Sequence, residues 1–454
     1  MNVDIVKKDG KLTLENLSCD CAFDHAMPDM DIYIRTGLID GCAGCIAQSR
    51  LGKNVLIVAD NNTYEAAAKK IENQLKSAGF VCRLCLLPGK KVEPTPQMAS
   101  HILTFIDSST EFLLSVGSGV ITDLTRRSAF LAGLPFAVFG TAASMDGYTS
   151  ITSAMIIDGM KLSEYGNSAR LLMFDPAILA SAPLLMQTSG VGDVLAKYNA
   201  LVDWKLGHAV VSEVFCPLCE KLLAAALNQC TSHIEEIAKC TEKGMEALIG
   251  SLVLAGLTVL IVGSTRPVAS VEHNITHYWE MRKIAFGENA PSHGIGAGIG
   301  LIYALMMHDR LRHADLSAVD VQKIKHSRMT KAQKESFIMN CYPPRVGKGV
   351  IHTNEEWYLE WPEQQRRIGA LATYHVQYKK DCAILPDYRD IIRFFKLFGT
   401  PASAAKFGID KNSLEKTLLC TKDYRARYSV ASALSELGML EECVADILAV
   451  ENSQ

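Results

Sequence analysis

The chain predicts an α/β amino-terminal half built on a parallel sheet, followed by an all-α carboxy-terminal half. Up to about residue 140, short apolar runs alternate with amphipathic helical stretches. After about residue 179, strand signals become scarce and long helical patterns dominate. The length of 454 residues exceeds what one compact core organises, so two domains are expected, at 1–178 and 179–454.

The elements follow in order. Residues 54–59 (NVLIVA) form a continuous apolar run ending at Asp60, which suits a strand covered on both faces. Residues 64–78 are an amphipathic helix closed by Gly79, residues 80–87 the next strand, 98–106 a helix and 112–116 (FLLSV) a strand. GSG follows at once, then a helix over 120–132, stopped by Gly133-Leu134-Pro135, and a strand over 136–139. This βα alternation is that of a Rossmann-like parallel sheet covered by helices. Helical patterns then span 191–206, 212–227, 232–243, 245–262, 272–282 and 295–307. The polar stretch 313–362, with the breaker run CYPPRVGKG, predicts a peripheral helical excursion with a loop.

Composition narrows the function classes. Apolar residues make up 48% and charged residues 21%, the balance of an ordinary globular protein. The net charge is −3 with both signs interspersed, and without a basic face nucleic acid is not an expected partner. The opening stretch lacks the apolar core of a secretion signal. The longest apolar run, 249–263, contains Gly and Thr, so a buried core helix is expected and no membrane insertion. Fourteen cysteines in such a chain point to a reducing, cytoplasmic setting. The pairs Cys19/Cys21, Cys42/Cys45, Cys82/Cys85 and Cys216/Cys219 form no clean CxxC…CxxC knuckle. They are expected to be ordinary thiols, not a second metal centre.

Two stretches are suited to a nucleotide. In VGSGVITD, Gly117 and Gly119 allow a sharp turn and close approach to a pyrophosphate. The N–H groups of Val120, Ile121 and Thr122 at a helix start face the anion, with the helix dipole in support. Thr122 stands where the usual G-x-G-x-x-G has its third glycine, and a plain strand-to-helix turn would use the same residues. In FAVFGTAASMDGYTS, Thr141, Ser144 and Ser150 can line a cofactor and Asp146 can reach a substrate hydroxyl; a capping loop is the alternative. Asp60, at a strand end, can accept hydrogen bonds from an adenosine ribose and disfavours a 2′-phosphate, so NAD is preferred over NADP.

A second set of residues is suited to a metal. His273 and His277 stand four apart on a predicted helix and share a face. His293 follows before a glycine-rich turn, and Asp193 begins a helix after Gly-Val-Gly, where it could also serve as an N-cap. Mixed N/O donors of this kind hold zinc-like ions with a position left open. Spacing alone does not say which two histidines bind.

VGSGVITD (116–123), TAASMDGY (141–148), GDVLAKYNALVDWKLG (192–207), STRPVASVEHNITHYWEM (264–281), SHGIGAG (292–298) and RYSVASALSELGML (427–440) together carry a family pattern. The chain resembles the bacterial NAD-dependent sn-glycerol-1-phosphate dehydrogenases, within the iron-containing alcohol dehydrogenase and dehydroquinate synthase-like superfamily. The resemblance implies a metal, zinc or nickel, on Asp193, His273 and His293. His277 becomes a substrate or proton-relay residue, and Asp146 and Asp193 contact substrate. Asp60, the run Gly119, Val120, Ile121, Thr122 and Asp123, the run Thr141, Ala142, Ala143 and Ser144, and Ser150 fall on cofactor positions, for NAD or alternatively NADP. The implied reaction is reduction of dihydroxyacetone phosphate to sn-glycerol 1-phosphate by NADH, in a homodimer. Ser270-Val271 and SHGIGAG depart from the family's usual residues, which bears on packing around His273 and His293. Lys197 and Arg266 are candidates for the phosphate of this small three-carbon substrate, structural ion pairing being their other reading. Dehydrogenation of an unphosphorylated polyol and a dehydroquinate synthase-like lyase reaction are the rival activities.

Overall fold

The computed structural model describes residues 2–25, 29–89, 91–157 and 160–451. The chain divides into two compact units: Met1–Val194 with Cys216–Ser264, and Leu195–Phe215 with Thr265–Gln454.

Among the described residues, the first unit has strands β1 (Asn2–Lys8), β2 (Lys11–Ser18), β3 (Asp31–Ile34), β4 (Asn54–Ala59), β5 (Val81–Leu86), β6 (Phe112–Gly117), β7 (Phe136–Gly140), β8 (Thr152–Ile157), β9 (Met160–Tyr165) and β10 (Leu171–Phe174). Eight form one sheet in the order β1-β2-β3-β10-β7-β6-β4-β5, and β8 and β9 pair separately. From β3 to β5 all neighbours run parallel; β1, β2 and β3 are antiparallel. Every residue of β6, β7 and β10 is buried, which explains their unbroken apolar runs.

The four strands expected from sequence are present, and six more accompany them. β1 and β2 carry charged outer positions, and β3 and β10 have only four residues each, too few for a periodic signal. The helix expected over 64–78 begins with a π-helical turn at Tyr64–Ala68 before Lys69–Ser77. The apolar run near 249–263 lies in the helix Glu242–Val262, which is long and apolar enough to cross a bilayer; 83% of its apolar window is buried. This helix belongs to the first unit, so the compact units do not divide at 178/179 as the sequence reading has it. The change from βα to helical patterning marks a change of local structure, whereas the unit is closed by later helices that pack onto it.

The second unit is helical. Helices Val271–Phe286 and His293–His313 pack at close range. A Cβ on Gly296 would lie 1.9 Å from Thr276 Oγ1, and one on Gly300 would lie 2.5 Å from the Glu272 carbonyl oxygen. Around this pair stand Lys197–Val211, Trp361–Asp381 and Val430–Glu436. The predicted 191–206 helix is really two, Leu184–Leu195 and Lys197–Val211. CYPPRVGKG is not a loop: Pro343 and Pro344 start a helix that runs to Thr353, since proline is tolerated in a first helical turn.

Candidate active site

In the first unit, the carboxyl ends of β4 and β6 lie side by side, Val58 opposite Ser115. The chain leaves β4 toward β5 on one side and returns to β6 on the other, so these ends flank a topological switch point, where open α/β sheets bind ligands. Asp60 follows β4, and Gly117-Ser118-Gly119 joins β6 to the helix Gly119–Ala132. A Cβ on Gly117 would fall 2.6 Å from the Ile121 side chain, so the turn demands glycine there. Ser118 makes no side-chain cap. The first-turn N–H groups of Gly119, Val120 and Ile121 therefore lack helical partners and point outward from the helix start. The Thr122 N–H donates to the Ser118 carbonyl at 3.0 Å, so the N–H groups without a helical partner are those of 119–121 and not 120–122: the helix begins one residue earlier than read.

Asp123 pairs with the fully buried Arg126 at 2.7 Å. Burial pushes the Asp123 carboxyl up to about 6 against the pull of that guanidinium. Arg126 also donates to the carbonyls of Gly147, Tyr148 and Thr152, which ties the 146–152 loop to the helix. Asp60 caps its own following turn: Oδ1 accepts the Thr63 N–H at 2.8 Å, and Thr63 Oγ1 accepts the Asp60 N–H at 3.0 Å.

The hydroxyl-rich loop leaves β7 with the Thr141 N–H on the Gly117 carbonyl, 3.1 Å. Thr141, Ala142 and Ala143 are buried; Ser144, Asp146 and Ser150 are half-buried. Tyr148 Oη donates to the Ala142 carbonyl at 2.7 Å, and Ser150 Oγ donates to the Thr152 carbonyl at 3.0 Å. Two helices press on this loop through glycines. A Cβ on Gly190 would sit 2.0 Å from the Ala143 oxygen, and one on Gly256 would sit 2.4 Å from the Asp146 oxygen. One turn beyond Gly190, the buried Asp193 accepts the Asp146 N–H at 3.0 Å. Gly-Val-Gly is thus the interior of the helix Leu184–Leu195 and not a turn before it, so Asp193 is no N-cap.

In the second unit three imidazoles converge. Ring centroids are 5.4 Å apart for His273 and His293, 5.3 Å for His277 and His293, and 6.4 Å for His273 and His277. Carboxylates hold all three: Glu272, which stands beside the histidine pair in the sequence, and Glu280, which the sequence reading missed. Glu272 Oε1 lies 2.7 Å from His273 Nδ1. Glu280 lies 3.1 Å from Nδ1 of His277 through one oxygen and 3.1 Å from Nδ1 of His293 through the other. An ionised carboxylate only accepts, so each Nδ1 carries a proton, and in the neutral ring Nε2 keeps its lone pair. This is the arrangement found behind metal-binding histidines. Ligand atoms of His277, Glu280 and His293 lie within 4.8 Å of one another, close enough to share a divalent cation, a set that differs from the Asp193, His273 and His293 that the resemblance implies. Burial opposes ionisation of Glu272, yet bonds from His273 and the Ser270 N–H hold its carboxyl below the usual range. Burial pushes His277 down to about 3, with Glu280 acting the other way, so its ring is neutral. A signal for Glu280 was present, since it stands three residues after His277 on the same helical face.

Arg266 is committed elsewhere. It donates to Glu213 at 2.6 Å and to the carbonyls of Asp203 and Tyr428, so its structural reading prevails over the phosphate one. Lys197 is fully buried. A cation missed from sequence, Arg425, lies over the Tyr424 ring at 5.3 Å; that ring is 6.1 Å from His277. Arg425 lines a cavity of about 520 Å³.

A model of the iron-containing alcohol dehydrogenase family matches residues 33–183. A Halalkalibacterium halodurans protein named glycerol-1-phosphate dehydrogenase (NAD(P)+) is 34% identical over 295 residues, which cover 64% of this chain and 72% of the relative. Its namesake from Bacillus subtilis is 31% identical over 58% of this chain and 68% of its own length. Among solved structures, an iron-containing alcohol dehydrogenase from Corynebacterium glutamicum superposes with a TM-score of 0.61 at 13% identity, covering 93% of this chain and 96% of that one. A probable glycerol dehydrogenase from Sinorhizobium meliloti gives 0.59 at 16% identity, covering 94% and 99%. These structures share the parallel-sheet and helical architecture.

Proposed function

Because the chain belongs to the family of glycerol-1-phosphate dehydrogenases that use NAD(P), within the iron-containing alcohol dehydrogenases, we propose that it reduces dihydroxyacetone phosphate to sn-glycerol 1-phosphate, reversibly, with NADH preferred over NADPH. The observation that carries the chemistry is the trio of imidazoles whose Nδ1 atoms are all held by carboxylates.

His273 and His293, with Asp193 as the third ligand that the resemblance assigns, are the proposed holders of a divalent metal, zinc or nickel. When bound, the metal supplies Lewis-acid polarisation of the substrate oxygen and the dinucleotide supplies hydride. The open N–H groups of Gly119, Val120 and Ile121 bind the pyrophosphate, and the loop Thr141–Ser144 lies against the cofactor. The Asp60 carboxylate accepts from the ribose through the oxygen not used in its cap. Glu272 and Glu280 fix ring orientation. His277, neutral and holding its proton on Nδ1, has an Nε2 able to take the proton of the alcohol or return it through water. Asp146 orients a substrate hydroxyl. Arg425 is proposed for the phosphate. The enzyme is read as a cytoplasmic homodimer.

The test is NADH-dependent turnover of dihydroxyacetone phosphate against dihydroxyacetone, with chiral analysis of the product. Preference for the phosphorylated ketone and formation of the sn-1 product are expected. Arg425→Ala should raise KM for the phosphorylated ketone by about 10–100-fold, the loss of one charge-assisted hydrogen bond. Equal use of both ketones by the unaltered enzyme would overturn the assignment in favour of a polyol dehydrogenase.

A further inference from the structure

A second donor cluster lies in the first unit, outside everything the dehydrogenase reading uses. Cys19 and Cys21 follow β2 directly, and His25 comes four residues later. Cys216 precedes the helix Pro217–Ser232 as its N-cap. One ligand atom from each of these four residues lies within 4.8 Å of all the others. Cys21 Sγ is 3.2 Å from His25 Nε2, His25 Nε2 is 3.3 Å from Cys216 Sγ, and Cys19 Sγ is 4.0 Å from Cys216 Sγ.

These separations are the edges of a coordination tetrahedron. With metal–sulfur bonds of about 2.3 Å and metal–nitrogen bonds of about 2.0 Å, tetrahedral zinc requires S···S near about 3.8 Å and S···N near about 3.5 Å. We propose that Cys19, Cys21, His25 and Cys216 form a closed Cys3His site for a thiophilic divalent cation, zinc foremost. Three thiolates and an imidazole are the soft donors that select such an ion, and four protein ligands leave no open position, so the site is structural. Cys216 sits at the start of a 16-residue helix, where the dipole favours a thiolate. The neighbouring Lys221 on that helix donates to the Val3 carbonyl of β1 at 3.2 Å. The ion therefore fastens the antiparallel edge of the sheet to a helix far along the chain. This proposal departs from the expectation that Cys19, Cys21 and Cys216 are ordinary thiols. His25 and Cys216 stand 191 positions apart, a gap that no short-spacing motif bridges.

Cobalt substitution in the full-length protein tests the site. The stripped chain is reloaded with Co(II), and its spectrum is compared with that of the double variant Cys19→Ser, Cys21→Ser. A sulfur-to-cobalt charge-transfer band in the near ultraviolet, lost in the variant, is expected. The proposed dehydrogenase metal has only oxygen and nitrogen ligands and gives no such band, so failure of either assignment leaves the other readable. Elemental analysis of the zinc-loaded protein should show the variant lacking one equivalent while turnover stays within a few-fold. Should the variant fail to fold, titrating thiols of the unaltered protein with a mercurial decides, because zinc must leave in step with their blocking. Absence of the band, zinc release unrelated to thiol blocking, or a Cys19–Cys216 disulfide in protein alkylated without reductant overturns the proposal.

Discussion

Replacing Glu280 with glutamine asks whether one carboxylate orients two imidazoles. Its oxygens each lie 3.1 Å from an Nδ1, one on His277 and one on His293. Glutamine keeps the shape but offers one acceptor and one donor. One histidine then meets N–H against N–H, so its ring turns or its proton moves to Nε2, the nitrogen that a metal needs. A hydrogen bond to a charged acceptor contributes about 1.5–3 kcal/mol, equivalent to about 10- to 150-fold in affinity. Carboxylates behind metal-binding histidines commonly account for about 10–100-fold, so the two scales agree. The expected result is a loss of zinc or nickel affinity in that range, measured by chelator competition. A changed Nδ1/Nε2 tautomer at His277 or His293 by nitrogen NMR should accompany it. Unchanged affinity with unchanged tautomers refutes the reasoning. A loss beyond about 1000-fold, some 4 kcal/mol, makes Glu280 a direct ligand instead.

Three further outcomes are expected. Asp60→Ser keeps a capping oxygen for the Thr63 N–H but removes the charge that repels a 2′-phosphate, so kcat/KM with NADPH should rise relative to NADH; an unchanged ratio removes Asp60 from cofactor choice. Gly190→Ala places a methyl 2.0 Å from the Ala143 oxygen and, at an overpacking cost of about 1–3 kcal/mol, should weaken NADH binding about tenfold or more by fluorescence titration. The helical control Gly369→Ala, with nothing within 4 Å, should be neutral or slightly stabilising. Burial, reinforced by Arg312, pushes His308 down to about 3. Below about pH 6.5 the unfolded chain takes up a proton that the folded one refuses, so stability present above 6.5 is lost toward pH 3 at about 1.4 kcal/mol per pH unit. Urea unfolding of His308→Gln should show an acid slope shallower by about one proton, and an NMR titration of folded His308 near 6.5 would contradict this.

The parallel core was legible because β4, β6 and β7 are short, almost wholly apolar runs, β4 followed by Asp60 and β6 and β7 ending on glycines. The edge strands were missed: β2 does carry the apolar alternation of a half-buried strand in KLTLE, whereas β1 alternates only weakly and β10 is four residues in the run RLLMFD. Gly190-Val191-Gly192 read as a turn because glycine is unfavourable within helices. Gly190 stands in one because a carbonyl from another segment occupies the space of its side chain, and local propensity holds no record of that contact. Among the site residues, the i, i+4 histidines were visible as a helical face. Glu272 was visible as the neighbour of that pair and Glu280 was not counted; the role of both lies in which ring nitrogen they hold. The Cys19–Cys216 cluster arises only when the sheet edge meets a distant helix.

The loop that leaves β7 is gripped from behind by helices Leu184–Leu195 and Glu242–Val262, through Gly190 and Gly256. The backing of the loop proposed to hold a dinucleotide is thus assembled from stretches that emerge from the ribosome well after the strands themselves. A fragment cut at residue 178 retains every strand among the described residues yet loses that backing, so it should behave as a sheet with a collapsed mouth. Excising the unit proposed to bind the dinucleotide demands chain through Ser264, with the intervening helix Lys197–Val211 bypassed by a linker.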